Sequence, residues 1–164
     1  MGFRRGDQIE VASKEDGFVG SYYSATVISE LMKKHYMVQY KTLLKEDEAG
    51  PLREIVAADE VRPVPPEISA TGFGLYERVD AFDNDGWWVG NITGRLGSKY
   101  YVYFEKTGDE IAYPLAQLRI HQDWLNDNPQ SINGNGNGNG NGNGIWMGAL
   151  NNVTKFTTCL SRVK

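Results

Sequence analysis

Two pairs of adjacent aromatic residues are the side chains in this sequence best suited to binding chemistry. Tyr22 and Tyr23 stand in SYYSATVIS, and Trp87 and Trp88 stand in GWWVGNITG. Because side chains alternate between the two faces of a strand, one residue of each pair must lie partly outside the core. The face of an aromatic ring attracts cations, and such rings also bury large apolar areas in small domains. The two pairs therefore predict a surface that binds a peptide, with a purely structural role as the alternative.

Patterns that accompany catalysis are absent from the sequence. It contains no Gly-rich phosphate loop and no nucleophile elbow. The single cysteine, Cys159, cannot form an intramolecular disulfide, and His35 and His121 are isolated from other metal-ligating residues. No apolar run approaches the length of a membrane span. We therefore expect no enzymatic activity, no cofactor, no metal site and no membrane segment.

The two aromatic pairs belong to an internal duplication. SYYSATVIS (21–29) aligns without a gap with GWWVGNITG (86–94), so that Tyr22 falls on Trp87 and Tyr23 on Trp88. Each copy contains four or five short stretches rich in Val, Ile, Tyr and Phe, which are typical of strands. Three further alignments extend the duplication: DQIEVAS (7–13) with YERVDAF (76–82), YMVQYKT (36–42) with YVYFEKT (101–107), and REIVAADEVRP (53–63) with DEIAYPLAQLR (109–119).

Strands this short must be positioned by a closed architecture. An open sheet of such strands is unstable, whereas a small barrel removes the edges and encloses a core. The stretch 62–74 contains three prolines and two glycines and indicates a boundary between the copies. We predict an all-β fold of two small SH3-like barrels in tandem. Leu115, Leu118 and Leu125 stand near helical spacing, which predicts a short helix near residues 115–126.

The duplicated stretches resemble a known family of modules. SYYSATVI, YMVQYKTLL and EIVAADEVRPVPP resemble the first half of a plant tandem Agenet domain. ERVDAFDNDGWWVGNITG and YYVYFEKTGDEIAYPLAQLRIHQDW resemble its second half. Agenet modules are Tudor-like members of the Royal group of SH3-like barrels. The resemblance covers about residues 3–127, with the first module at 3–66 and the second at 73–127.

The resemblance implies a non-enzymatic, chromatin-associated plant protein of the nucleus that binds other proteins, in several members a methylated lysine of a histone tail. In Tudor-like modules the methylated ammonium group lies among two to four rings beside a carboxylate. The resemblance places rings at the end of the first strand, before the core alternation, and at the end of the next strand. In the second copy these positions are Phe82, Trp88 and Phe104, with Asp83 and Asp85 nearby. In the first copy they are Ser13, Tyr23 and Tyr40, with Glu15, Asp16 and Phe18 in the adjoining loop, so that Phe18 would replace a missing ring.

The C-terminal part of the chain differs in composition from the duplicated body. Residues 133–144 are six Asn-Gly dipeptides, which predict a flexible linker over 128–144 whose regularity is typical of an engineered tether. Residues 145–164 then represent a tethered partner peptide, with a natural C-terminal helix as the alternative. Its apolar residues recur at helical spacing. The predicted anchors on that helix face are Trp146, Leu150, Val153, Phe156 and Leu160.

Charge is unevenly divided along the chain. Residues 1–132 carry 14 basic and 21 acidic side chains, a net charge of −7, and residues 133–164 carry three basic and no acidic ones. An acidic body argues against a nucleic-acid partner, which needs the opposite sign. Two modes of peptide binding stay open: an apolar helix of 145–164 in the seam between the barrels, or a methylated histone tail in an aromatic cage. The candidate contacts are Tyr22, Tyr23, Tyr40, Phe82, Trp87, Trp88 and Phe104.

Overall fold

The computed structural model describes residues 2–32, 34–125 and 128–131, in which strands predominate and the only helical elements are two 3-10 turns. The predicted flexible linker is wrong for its first four residues, because Asn128–Ser131 forms a strand that pairs with Gln122–Leu125. The rest of the predicted linker and the tail anchors lie outside the described residues. The first barrel contains β1 (Gln8–Ala12), β2 (Ser21–Leu31), β3 (His35–Leu44), β4 (Pro51–Ala57) and β5 (Val61–Pro63). The second barrel contains β6 (Arg78–Asp83), β7 (Gly86–Leu96), β8 (Lys99–Phe104), β9 (Asp109–Pro114) and β10 (Leu118–Ile120). A hairpin of β11 (Gln122–Leu125) and β12 (Asn128–Ser131) follows.

Each barrel is an antiparallel meander that returns on its first strand. The strand order is β4-β3-β2-β1-β5 in the first barrel and β9-β8-β7-β6-β10 in the second. A single 3-10 turn, Ala58–Glu60 or Leu115–Gln117, precedes the last strand of each barrel. The prediction of an all-β tandem of small barrels is confirmed. No helix of the described ranges is long and apolar enough to cross a membrane.

The aromatic stretches alternate as the sequence predicts. Tyr23, Ala25 and Val27 are buried in one core, while Tyr22 is partly exposed on the opposite face of β2. Trp88 is buried and Trp87 is partly exposed in the same way on β7. The pairing with the next strand shifts at equivalent places, between Val27 and Ser29 and between Ile92 and Gly94. The duplication of β2 in β7 is therefore confirmed in register.

The other three alignments of the copies are wrong by one residue. Tyr22 pairs with Ala12 on β1, and Trp87 pairs with Phe82 on β6, so Ala12 rather than Ser13 is the counterpart of Phe82. Because side chains alternate along a strand, a shift of one residue moves every one of them to the other face. The loops of the two copies differ in length, which letter matching within single stretches could not reveal. The corrected counterparts include Glu10 with Asp80, Tyr40 with Phe104, Val56 with Tyr113 and Arg62 with Arg119.

The helix predicted near residues 115–126 is wrong beyond its first turn. Leu115–Gln117 forms one 3-10 turn, and the chain then extends as β10 and β11. Leu118 is buried because β10 pairs with β6, where its partner is Ala81. A three-residue spacing of leucines fits a 3-10 turn as well as an α-helix. Pairing with β6 therefore decides the conformation.

Gly90 lies where β7 approaches β8 closely. A Cβ atom on Gly90 would lie 2.5 Å from Cγ1 of Val102 and 2.8 Å from the backbone oxygen of Tyr103. Because one of the contacted atoms belongs to the backbone of the paired strand β8, we expect Gly90→Ala to lower the free energy of unfolding by about 1–3 kcal/mol. Urea denaturation measures this difference. In the matched control Gly74→Ala, the added Cβ would make ordinary contacts with Glu77 alone, so a loss as large as that of Gly90→Ala would contradict the prediction.

Candidate functional site

The two barrels share one continuous sheet. β2 pairs with β7 through Ser21 with Trp88 and Tyr22 with Trp87. The backbone N–H of Val89 donates to the carbonyl oxygen of Gly20 at 2.9 Å. The aromatic pairs thus lie at the seam, where the two barrels meet, and each barrel contributes equivalent residues to it.

Four charged side chains fill the seam. Glu10 is 1% exposed, and its carboxylate accepts hydrogen bonds from Nη2 of Arg62 at 2.7 Å and from Nη1 of Arg119 at 2.7 Å. Asp80 is fully buried and accepts from Nε of Arg119 at 2.8 Å. Glu10 and Arg62 come from the first barrel, whereas Asp80 and Arg119 are their counterparts in the second. The two barrels are therefore joined chiefly by Arg119 and Glu10, while Arg62 lies 3.9 Å from Asp80 across the seam.

The outward aromatic residues cover this ionic network. The guanidinium carbon of Arg62 lies 3.4 Å from the ring centroid of Tyr22, and that of Arg119 lies 4.1 Å from that of Trp87. Phe82 packs against Trp87 with ring centroids 5.1 Å apart. The cations that these rings hold are thus arginines of the chain itself. Tyr22, Phe82 and Trp87 are placed in the joint between the barrels.

His121 extends the network to the hairpin of β11 and β12. Its Nδ1 lies 2.5 Å from a carboxylate oxygen of Asp80, and its Nε2 lies 3.1 Å from one of Asp123. Burial disfavours the ionised form of Asp80, but the hydrogen bond with His121 and the charge of Arg119 outweigh it and hold the pKa of Asp80 below its usual value. Asp80 therefore stays ionised where it neutralises the arginine. The described residues contain no group of three His, Cys, Asp or Glu side chains arranged to hold a metal ion.

A cavity of about 890 Å³ opens on the first barrel, between the β1–β2 loop and β4. Two tyrosine rings, Tyr23 and Tyr40, line it at right angles with centroids 6.4 Å apart. Phe18 of the β1–β2 loop lines it as well. Six acidic residues line the cavity, against two lysines, Lys14 and Lys45. The acidic residues of the lining are Glu15, Glu46, Asp47, Glu54, Glu60 and Asp85.

The Tyr40 hydroxyl is tied to one of these carboxylates. It donates a hydrogen bond to Oε2 of Glu54 at 2.6 Å. Burial, and then this hydrogen bond, raise the pKa of the Tyr40 hydroxyl far above its ordinary value. The ring is thereby fixed as a neutral wall of the cavity, with an acidic group at its edge.

The second barrel contributes one side of this cavity. Asn84 and Asp85 form the β6–β7 turn, where both have positive φ (44° and 63°), and both line the cavity. The Thr42 hydroxyl donates to the carbonyl oxygen of Asp85 at 2.7 Å and fixes the turn against β3. The next residue is Gly86, and only glycine fits there, because a Cβ atom would lie 2.7 Å from the Tyr23 ring. Asp85 therefore belongs to the site of the first barrel, although it follows the first strand of the second.

In the second barrel the corresponding space is filled. Tyr113 takes the place of Val56, and Ile111 takes the place of Glu54. The Tyr113 hydroxyl donates to Asp83 at 2.7 Å, and its ring packs 6.1 Å from that of Phe104. Trp88 and Phe104 are buried in this core. The rings of both copies pack in their barrel cores, since Tyr23 and Tyr40 are buried as well, and the copies differ in that Tyr113 takes the place of Val56.

The predicted site residues therefore fall in three places. Phe18, Tyr23, Tyr40 and Asp85 meet at the cavity. Trp88 and Phe104 lie in the core of the second barrel, against which Phe18 also packs, with its ring centroid 5.9 Å from that of Trp88. Tyr22, Phe82 and Trp87 lie at the seam and do not meet that core. Sequence reasoning missed Glu54 at the cavity and the charged residues of the seam. An available signal was an acidic residue between apolar ones within a strand, as in IEV around Glu10 and VDA around Asp80.

Comparison with known proteins agrees with this architecture. Residues 6–66 match the family model described as Agenet domain. The chain is 39% identical over 126 residues to Protein AGENET DOMAIN (AGD)-CONTAINING P1 of Arabidopsis thaliana, covering 76% of this chain and 24% of the relative. It is 38% identical over 127 residues to DUF724 domain-containing protein 6 of the same plant, covering 74% of this chain and 18% of the relative. The chain thus spans about a quarter or less of the length of these relatives.

Solved structures extend the similarity to both barrels. The crystal structure of Arabidopsis thaliana AGDP1 AGD34 superposes with a TM-score of 0.75 at 30% identity, covering 79% of this chain and 90% of that one. The crystal structure of ADCP1 tandem Agenet domain 3-4 superposes with a TM-score of 0.72 at 27% identity, covering 79% and 88%. With the family match in the first barrel and the tandem fold across both, the chain belongs to the Agenet domain family.

Proposed function

We propose that this chain is a protein-interaction module that binds a basic peptide segment through the cavity of the first barrel. A lysine side chain, preferably a methylated one, enters the cavity that Tyr23 and Tyr40 line. The observation that carries the proposal is the combination of two perpendicular rings with six acidic residues in the lining of one cavity. The resemblance to Agenet modules supports a nuclear, chromatin-associated setting in a plant, with a histone tail as the basic segment.

The chemistry of the cavity suits a methylated ammonium group. Such a group keeps its positive charge and is weakly hydrated, so it gains from ring faces and loses little on leaving water. Glu54 is exposed, accepts the hydrogen bond of the Tyr40 hydroxyl and supplies a negative charge at the mouth of the cavity. Asp85 supplies another from the opposite wall. A peptide with an acidic residue at the same position would be repelled.

The residues of the seam favour a role in joining the two barrels over the helix docking that the sequence predicts for it. Docking of an apolar helix requires an apolar groove, whereas the seam contains the ion pairs of Glu10, Asp80, Arg62 and Arg119. Binding of residues 145–164 through Trp146, Phe156 and Leu160 therefore stays a prediction. The net positive charge of that segment is complementary to the acidic body. Loss of a tail contact in Phe156→Asp, seen as shifted amide signals of the body, would support it, and unchanged signals would exclude it.

Calorimetric titration tests the proposed function. The probe is a nine-residue peptide of Arg, Ser and Thr with one central lysine, prepared with zero to three methyl groups. We expect saturable binding that strengthens with methylation and weakens as salt is added. The control peptide carries glutamate at the centre, and Glu54→Gln tests the carboxylate at the mouth of the cavity. Equal affinity for the lysine and glutamate peptides would contradict the proposal.

A further inference from the structure

One edge of the first barrel has no partner strand. β4 pairs with β3 along one side, and among residues 2–32, 34–125 and 128–131 no strand pairs with its other side. An unpaired strand edge presents backbone N–H and C=O groups that can pair with an added chain. The position of this edge relative to the cavity decides what such a chain would carry there.

The register identifies the groups on the open edge. The N–H of Ala58 donates to the carbonyl oxygen of Lys34, just beyond the last pair of β3 and β4. Hydrogen-bonded pairs recur at every second residue of an antiparallel ladder, so Val56 and Glu54 direct their backbone groups toward β3. Arg53, Ile55 and Ala57 direct theirs away from it. The N–H of Ala57 donates to Oε2 of Glu60 at 2.7 Å, which leaves Arg53 and Ile55 as the available donors.

The same edge borders the cavity. Glu54, Ile55 and Val56 are consecutive, yet all three line it. Because neighbouring side chains of a strand point to opposite faces, three consecutive lining residues on a strand with one unpaired side indicate that the edge of β4 borders the cavity. Ile55 is 57% exposed, so an apolar surface also borders the open backbone groups. An extended chain placed on this edge would therefore run along the mouth of the cavity.

We propose that a basic peptide binds here as an added strand on the edge of β4. The inference rests on the proposed function and specifies how the peptide lies. Its backbone pairs with the N–H and C=O groups of Arg53 and Ile55, and every second side chain turns toward the cavity and its carboxylates. The occupant is an extended segment with a basic residue at every second position, because acidic residues outnumber lysines in the lining of the cavity. Backbone pairing supplies affinity, and the cavity supplies the choice of side chain.

A backbone N-methyl scan of the dimethyl-lysine probe tests the added strand. Methylating a peptide nitrogen removes its hydrogen-bond donor and leaves the side chain unchanged. We expect binding to the full chain to weaken about tenfold at every second position and less than about twofold at the positions between. Hydrogen exchange provides a second readout. The amides of Arg53 and Ile55 are expected to exchange at least about tenfold more slowly with the peptide bound.

The outcomes separate the two proposals. An alternating pattern together with protection of Arg53 and Ile55 supports the added strand. Binding of the unmethylated backbone without alternation, or without protection of those amides, overturns it and leaves the cavity as the site. Failure of all lysine probes to bind overturns both proposals. The amide of Val56, which faces β3, is the internal control because its exchange is expected to stay unchanged.

Discussion

Replacing Glu10 with alanine is expected to lower the free energy of unfolding by about 3–5 kcal/mol, the largest single effect that the structure predicts. Glu10 accepts hydrogen bonds from both Arg62 and Arg119, one from each barrel. Its removal leaves the buried guanidinium group of Arg62 and the partly buried one of Arg119 to share the single carboxylate of Asp80. The cost of an unpaired buried charge exceeds that of a lost surface ion pair. Urea denaturation followed by tryptophan fluorescence measures the loss.

The control for Glu10→Ala is Glu30→Ala, which removes an exposed carboxylate from the first barrel. Its expected effect is within about 0.5 kcal/mol. Because the network and the pairing of β2 with β7 join the barrels, the wild-type chain is expected to unfold in one transition. If Glu10→Ala had no larger effect than the control, the seam would not stabilise the tandem.

Closing the cavity with the side chains that fill the second barrel is expected to weaken peptide binding at least tenfold, or by about 1.4 kcal/mol. The double variant Ser13→Asp with Val56→Tyr introduces the counterparts of Asp83 and Tyr113. In the second barrel the tyrosine hydroxyl donates to the aspartate at 2.7 Å, so the introduced pair has a structural precedent. Titration with the dimethyl-lysine probe measures the loss.

A matched variant, Leu96→Tyr, controls for the added aromatic ring. Leu96 is exposed in the second barrel, away from the cavity, so probe affinity is expected to stay within about twofold of wild type. Circular dichroism and a cooperative melt of the double variant verify that the barrel is intact. Unchanged affinity in a folded double variant would mean that the peptide binds elsewhere.

The architecture could be predicted from the sequence because β2 and β7 repeat the same alternation of buried and exposed side chains. The alternation around Tyr22 and Trp87 predicted that one ring of each pair is partly exposed, and the structure shows that these are Tyr22 and Trp87. The other strands are only three to ten residues long, and their loops differ in length between copies. Matching letters therefore placed Ser13 opposite Phe82 instead of Ala12. The helix predicted for residues 115–126 was wrong because the pairing of β10 with β6 outweighed the local preference of the sequence for a helix.

The site was less accessible because it depends on contacts between copies. The resemblance favoured the second copy, which has the fuller set of rings, yet Tyr113 fills the space beside Phe104. Val56 is smaller and leaves the space beside Tyr40 open, a difference that no motif records. Asp85 reaches the first barrel only because β2 pairs with β7. The position of Asp85 in the sequence, after the first strand of the second copy, could not predict that it lines the cavity of the first barrel.

The most direct test of the proposed binding site is amide chemical-shift mapping of the dimethyl-lysine probe on the isotope-labelled chain. The account predicts that the largest changes fall at Ser13, Tyr40, Glu54 and Asp85, around the cavity of the first barrel. The seam at Tyr22 and Trp87 and the core beside Phe104 are expected to change little. Changes concentrated at the seam or in the second barrel, with the cavity residues unmoved, would contradict the account.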